Sequence, residues 1–450
     1  MKRLLLPLAL LAAPLAAQDV NIPHTTFTLP NGLRVIVAED KSTPIAAVNV
    51  WYHVGSGYEQ PGRTGFAHLF EHIMFEGSAN VPEGDFDKLL EAAGGNNNGS
   101  TTQDRTNYYA IVPSNAVDLA LWLEADRMGG LLQTMSPSKL DIQRDVVKNE
   151  RRQSYENRPY GMLQELAAEA LYPKGHPYSW STIGSMDDLT AATLEDVSGF
   201  FRTYYVPNNA VLAVVGDVNT AQVREQVERY FGWIPRGPDV ARPQIPAPPI
   251  PATRYITRED RVTLPQVNIL WRTSSRFSRD EAAVDALAQI LAGGKSSRLY
   301  QRLVYTEQNA QMVSAFNWAK LLSGDLFMTV RGKQGVNLNV LERAVMEEIA
   351  RIAATPPSAE ELQRVVNSIQ TEFVGSLETV GGKADQLNSY MYYGGKPGMA
   401  AEDLARYRAL TPADIQSVAR EYLADKNRIV ISFVPQGQTG LAVAARETAR

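Results

Sequence analysis

The chain has 450 residues, a length for which two or three domains are the expectation. Its 44% hydrophobic and 21% charged content is that of a folded protein with enough apolar mass for a sizeable core. The formal net charge of -5, with no long run of one sign, gives no footing for a nucleic-acid binder, which would show a basic face.

The first residues, MKRLLLPLALLAAPLAAQDV, place Lys2 and Arg3 before an apolar run from Leu4 to Leu15 and then small residues. This is the pattern of a secretory signal peptide, residues 1–17, cleaved close to Ala17. The run is too short for a membrane span, and no later apolar run is long enough. Removing Lys2 and Arg3 takes the formal charge from -5 to -7. There is no cysteine, which excludes disulfides, thiolate-bound metals and a lipid anchor on an N-terminal cysteine. The expected location is secreted or periplasmic.

In chain order, RVIVAED and AAVNVWYHVG read as strands. The next segment, residues 65–77, is GFAHLFEHIMFEG. From Phe66 to Phe75 it holds no Pro or Gly, and Gly65 and Gly77 flank it, so a short helix is predicted. DFDKLLEAAGG predicts a second short helix, YYAIVP a strand, and AVDLALWLEADRMGGLL and LDIQRDVVKNERRQSYEN (residues 140–157) two long helices. The stretch GGNNNGSTTQDRTNYY reads by residue type as a Gly/Asn turn leading into a strand.

Residues 234–255 carry seven prolines and mark a stiff, extended boundary. It divides the chain into an N-terminal domain over 18–234, a linker over 235–255 and a C-terminal domain over 256–450. The second half again mixes strands (VNILWRTS, GDLFMTVRG) with helices (DEAAVDALAQILAGG, NVLERAVMEEIARIAAT). Residues 189–217 and 410–436 share a pattern of capped helix, short Asn-containing turn and β-branched strand, which points to tandem duplication. The expected fold class is α+β: two homologous domains, each a mostly antiparallel sheet with helices packed on one face.

Only five histidines occur in the chain, and two of them, His68 and His72, are four residues apart in HLFEH. On a helix, that spacing stacks both imidazoles on one face, where they can share a zinc ion. Glu71 sits at the edge of that face, placed to take a proton from a water at the metal without being a ligand. A catalytic zinc needs a third protein ligand. Glu76 lies eight residues from His68, about 12 Å along the axis, too far to share the ion. The ligand must come from another helix. Glu150 is the best candidate, with Val146 and Val147 able to pack inward one turn earlier, but residue type alone does not separate it from Glu91 or Glu124. His24, His53 and His176 have no ligand spacing and read as structural. LAGGKSSRLY has the look of a phosphate loop, but Gln289 stands where the loop needs its first glycine, so it reads as a helix end and turn.

The segments VWYHVGSGYEQPGRTGFAHLFEHIMFEGS and VVKNERRQSYENRPYG together resemble the insulinase/pitrilysin family of zinc metallopeptidases with an inverted HxxEH motif, in the branch of the mitochondrial processing peptidase and its bacterial relatives. The resemblance covers nearly all of the chain beyond residue 17. It implies His68, His72 and Glu150 as ligands of one zinc ion per chain and Glu71 as general base. It implies two units closing a chamber around an unfolded peptide, and an edge strand at which Asn98, Gly99 and Thr101 bind substrate. Two departures stand out. Where the family has a second glutamate seven residues before the ligand, this chain has Gln143, two turns away on the same face and expected to orient Glu150 by hydrogen bond. Where many active members carry an Arg and a Tyr seven apart in the second half, this chain aligns Val304 and Gln311, with Arg298, Tyr300, Arg302 and Tyr305 nearby but out of register. The resemblance therefore implies a zinc-bearing subunit, a dimer, and a sister subunit that supplies the Arg/Tyr pair. The function expected is a secreted or periplasmic zinc metalloendopeptidase acting on extended peptides. The alternatives are a non-catalytic assembly subunit and a peptidase dedicated to particular precursors.

Overall fold

The computed structural model describes residues 20–444, so the expected signal peptide over 1–17 lies outside the described residues. The first half forms a six-stranded sheet from β1 (Thr25–Thr28), β2 (Arg34–Glu39), β3 (Ile45–Tyr52), β4 (Asn96–Thr101), β5 (Thr106–Pro113) and β6 (Ala210–Gly216), in the order β1-β2-β6-β3-β5-β4. The second half forms a five-stranded sheet from β7 (Arg254–Asp260), β8 (Gln266–Thr273), β9 (Ala310–Ala319), β10 (Gly324–Gly332) and β11 (Ile429–Pro435), in the order β7-β11-β8-β10-β9.

The duplication is visible in this topology. With β1 set aside, both sheets run first, fifth, second, fourth, third in chain order. In both, the first and fifth strands pair parallel and every other pair is antiparallel. The helices that precede the fifth strands, Leu194–Tyr204 and Pro412–Val418, both open with a reciprocal capping box, Thr193 with Asp196 and Thr411 with Asp414. These are the segments whose sequences match.

Each half packs its own helices on one face of its sheet. In the first half these include α1 (Phe66–Ile73), α2 (Asp85–Ala92), α3 (Val117–Gly130) and α4 (Pro137–Arg151). The opposite face of each sheet is covered by a helix from the other half. Val380, Ala384 and Leu387 of the helix Val380–Ser389 pack on Ile36, Ala47, Val211 and Val215 of the first sheet. Ala167, Ala170 and Leu171 of the helix Leu163–Leu171 pack on Leu270, Ile429, Ile431 and Phe433 of the second. This exchange explains why β6 (AVLAVVG) and β11 (IVISFVP) are buried at every residue, as strands covered on both faces must be. Burying each large apolar side chain is worth about 1.5–3 kcal/mol, so the two exchanged helices fasten the halves together. Asp104 adds a polar clasp: Tyr178 and Tyr393 of the two halves donate to its carboxylate, as does the backbone N–H of Leu321.

Residues 235–253 form neither helix nor strand, while Arg254 and Tyr255 already belong to β7. The predicted helix over 140–157 is shorter than expected. α4 ends at Arg151 and the chain widens into a π-type turn, closed by the bond from Asn157 N–H to the Arg152 carbonyl at 2.8 Å. Arg151 is anchored there by Glu165 and by the Gly184 carbonyl at 2.8 Å. Among the described residues, no helix is long and apolar enough to cross a membrane.

Candidate metal centre

The apolar residues of α1 fall on one side. Leu69, Phe70 and Ile73 are buried, and Phe70 stacks on Phe200 and Tyr205. That burial turns His68, Glu71 and His72 the other way, toward α4 and β4, both of which pack against α1. The start of α1 is held by an unusual device. Its cap position is Gly65, at φ 88, where a Cβ would meet the Ile183 carbonyl at 2.8 Å. No side chain caps the helix from that position; instead the buried carboxylate of Glu59 accepts N–H bonds from Gly65 (3.0 Å) and Ala67 (2.8 Å). Burial pushes the Glu59 carboxyl up to about 8, against the pull of those two donors. Sequence reasoning missed this anchor. The signal was a helix that begins at a glycine without Ser, Thr, Asp or Asn to cap it.

His68, His72 and Glu150 converge, with one ligand atom from each lying within 4.8 Å of the others. Glu150 Oε2 stands 3.1 Å from His72 Nε2 and 3.6 Å from His68 Nε2. Two ligands about 2 Å from a tetrahedral zinc ion are about 3.3 Å apart, so the donor set fits such an ion. Its protonation fits as well. Burial pushes the His68 imidazole down to about 4, toward the neutral form a metal requires, with Glu150 opposing and His72 adding to the shift. His72 holds the Glu150 carboxyl below the usual range by hydrogen bond. The other two acids that residue type left open do not join the group. Glu124 is buried in an ion pair with Arg127, Nε to Oε2 at 3.0 Å, and the guanidinium lies over the rings of Phe86 and Tyr108. Glu91 is exposed on α2. Among the described residues, His68, His72 and Glu150 are the group of His, Cys, Asp or Glu side chains placed to hold a metal ion.

Glu71 lies beside this group, and Thr101 Oγ donates to its Oε2 at 2.6 Å. Burial raises the Glu71 carboxyl, and the Thr101 bond opposes the shift. Thr101, expected to bind substrate, thus has its hydroxyl on Glu71. The Asn/Gly stretch that reads as a turn is in fact the strand β4, at the edge of the first sheet. Asn and Gly are poor strand formers, but pairing with the aromatic strand β5 overrides that, with Asn98 opposite Tyr109 and Gly99 opposite Tyr108. Gly99 lacks a side chain where one would crowd the site: a Cβ there would meet Glu71 Cγ at 3.0 Å. Asn98 is exposed and its side-chain oxygen accepts from the Gly99 N–H at 2.8 Å.

Two expectations about α4 need correction. Gln143 is buried but makes no hydrogen bond to Glu150 among the described residues. Seven residues put the two on one face, yet about 10 Å apart along the axis, beyond the reach of a carboxamide. Gln143 lines a cleft beside His72 instead. Val147 packs inward as expected, but Val146 is 41% exposed at the rim of that cleft.

The second-half segment is occupied with its own half. Arg298 forks onto Glu361 at 2.8 and 2.7 Å. Arg302 pairs with Glu307, Glu347 and Glu348. Val304 packs against the second core, Gln311 is exposed, and Tyr305 is 73% exposed. His24, His53 and His176 stand apart from the metal centre: His24 bonds the Ile22 carbonyl, His53 bonds Arg34, and His176 stacks on Tyr172.

Comparison with known proteins agrees with this geometry. Residues 34–181 match the family described as Insulinase (Peptidase family M16), and residues 191–369 match the Peptidase M16 inactive domain. The chain is 31% identical over 439 residues to "Zinc protease PqqE" of Helicobacter pylori, covering 95% of this chain and 96% of that protein. It is 27% identical over 430 residues to "Probable mitochondrial-processing peptidase subunit beta, mitochondrial" of Arabidopsis thaliana, covering 92% and 79%. The crystal structure of a protease from Helicobacter pylori superposes with a TM-score of 0.87 at 28% identity, covering 92% of this chain and 100% of that one. With two tandem sheets of one topology, an HxxEH helix and matches along nearly its whole length, the chain belongs to the insulinase family, peptidase family M16.

Proposed function

We propose that the protein is a zinc metalloendopeptidase, secreted or periplasmic, that hydrolyses extended or unfolded peptides. The observation that carries this reading is the convergence of His68, His72 and Glu150 beside a Glu71 held by an edge strand. His68, His72 and Glu150 would hold one zinc ion per chain. Bound there, the ion supplies a Lewis acid that polarises the peptide carbonyl and makes water easier to deprotonate. Glu71 takes the proton from the attacking water and passes it to the leaving amine. Thr101 fixes Glu71 for that transfer, and Gly99 leaves room for it. β4 pairs with β5 on one side only, so its other edge is open to an extended peptide added as a further strand, passing Asn98 and Gly99. Gln143 faces the same cleft. The test is hydrolysis of an unstructured peptide by the purified protein. Activity should be lost on chelation and restored by zinc. Turnover indifferent to chelator would contradict the reading.

Gly99→Val is expected to lower kcat/KM by about a hundredfold with zinc content unchanged, because the added side chain displaces Glu71. Steady-state kinetics beside metal analysis checks this. Unchanged kinetics would mean that Glu71 has room the structure does not give it.

The oxyanion of the tetrahedral intermediate needs a donor, and this chain has Val304 and Gln311 at the positions that align with the Arg/Tyr pair of many family members. Arg298 and Arg302 are committed to carboxylates of their own half. The active form is therefore a dimer, with a sister subunit supplying the pair across a shared chamber. Adding such a subunit is expected to raise turnover about a hundred- to a thousandfold, the usual worth of one oxyanion donor. High activity from a pure homodimer, unchanged by any partner, would contradict this and point to Arg298 or Tyr300.

A further inference from the structure

Arg34 opens β2 and is half-buried. Its guanidinium makes one hydrogen bond among the described residues, from Nη2 to His53 Nδ1 at 3.2 Å. His53 is 5% exposed, and the centre of its ring lies 4.3 Å from that of Tyr392. The linker passes over the same tyrosine. There the Arg242 guanidinium sits 4.8 Å from the ring centre and makes no hydrogen bond or ion pair among the described residues. Two guanidinium groups thus flank one His–Tyr contact, and no carboxylate pairs with either. Asp239, three residues before Arg242, pairs with Arg236 instead. Asp104, whose backbone carbonyl accepts from the Tyr392 hydroxyl at 2.8 Å, has its carboxylate bonded by Tyr178, Tyr393 and the Leu321 N–H. Burial, then the charge of Arg242, lowers the Arg34 guanidinium, and burial with both arginines holds His53 well below the usual imidazole range. A third donor is left without an acceptor. His53 Nδ1 accepts from Arg34, so Nε2 carries the ring proton, and that buried nitrogen has no partner among the described residues. Positive groups gathered in this way, without an acid, lack an anion.

We infer that Arg34 and Arg242 hold a small tetrahedral oxyanion, inorganic phosphate or sulfate, that bridges the linker to the first sheet. Each guanidinium offers parallel N–H donors to a pair of oxygens, so two of them suit an anion with four oxygens better than a carboxylate with two. Arg242 is exposed and borders a hollow of about 500 Å³ with Gln244, Ile245, Leu321 and Leu322, so the anion can enter from solvent. Bound there, it ties the linker, which forms neither helix nor strand, to β2 and, through Tyr392, to the second half. The site shares no residue with the metal centre and is independent of the peptidase reading.

Calorimetric titration of the purified full chain with inorganic phosphate, at constant ionic strength, tests this. Phosphate is expected to bind, with sulfate competing and acetate at least about tenfold weaker. Arg34→Gln and Arg242→Gln should each weaken phosphate at least about tenfold while zinc content stays unchanged. Arg242 is an exposed linker residue, so its variant keeps the test sound even if Arg34→Gln folds poorly. Phosphate should also raise the Tm of the wild type and leave that of Arg242→Gln unmoved. No heat of binding by the wild type would overturn the inference. So would phosphate bound equally by the wild type and Arg242→Gln, which would place the anion elsewhere, the metal centre included. Acetate bound as tightly as phosphate would overturn the choice of a tetrahedral anion.

Discussion

Glu71→Gln is expected to lower kcat on an unstructured peptide by about 10²–10⁴-fold while zinc stays bound, the usual contribution of a positioned general base. Glutamine keeps the shape of the side chain, and its carboxamide oxygen can still accept the 2.6 Å bond from Thr101. What it loses is the ability to take a proton. Glu71 lies outside the group formed by His68, His72 and Glu150, so the metal should be indifferent to the change. Activity near wild type would mean that another residue is the base. Loss of zinc would make Glu71 a ligand rather than a base.

Glu150→Gln is expected to have the opposite signature, with metal and activity lost together. Glu150 is the one anionic member of the donor group, and its Oε2 reaches both imidazoles at 3.1 and 3.6 Å. Removing a residue that merely supports a ligand typically costs about 10–100-fold in metal affinity, so removing the charge of a ligand itself should cost at least about a hundredfold. Zinc titration followed by a competing chelator measures this. Glu150→Asp shortens the reach while keeping the charge, and should fall between the two.

How much of this is legible in the chain depends on how local each feature is. The spacing of His68, Glu71 and His72 is written within five residues, and rare histidines at i and i+4 carry their own signal. Glu150 is 78 residues from His72. Residue type alone does not distinguish it from Glu124; the one local sign is that Glu124 has Arg127 three residues on, a helical spacing at which the two pair. β4 is hidden because NNNGST has the composition of a turn; its strand form is imposed by β5. Gln143 lies on the face of α4 that its spacing predicts, but two helical turns exceed the reach of its side chain. The exchange of helices between the halves follows from no single motif. Its trace is in the sequence all the same: AVLAVVG and IVISFVP are continuously apolar rather than alternating, which is the mark of strands covered on both faces. The matching strand order of the two sheets extends a likeness that spans only one helix and one strand in each half.

The most direct measurement is zinc content per chain, taken beside peptide hydrolysis on the wild type, Glu71→Gln and Glu150→Gln purified in parallel. The expected result is about one zinc with activity, about one zinc without activity, and little zinc without activity, respectively. Full zinc occupancy in Glu150→Gln, or full activity in a wild-type protein stripped of metal, would contradict a zinc centre built on His68, His72 and Glu150.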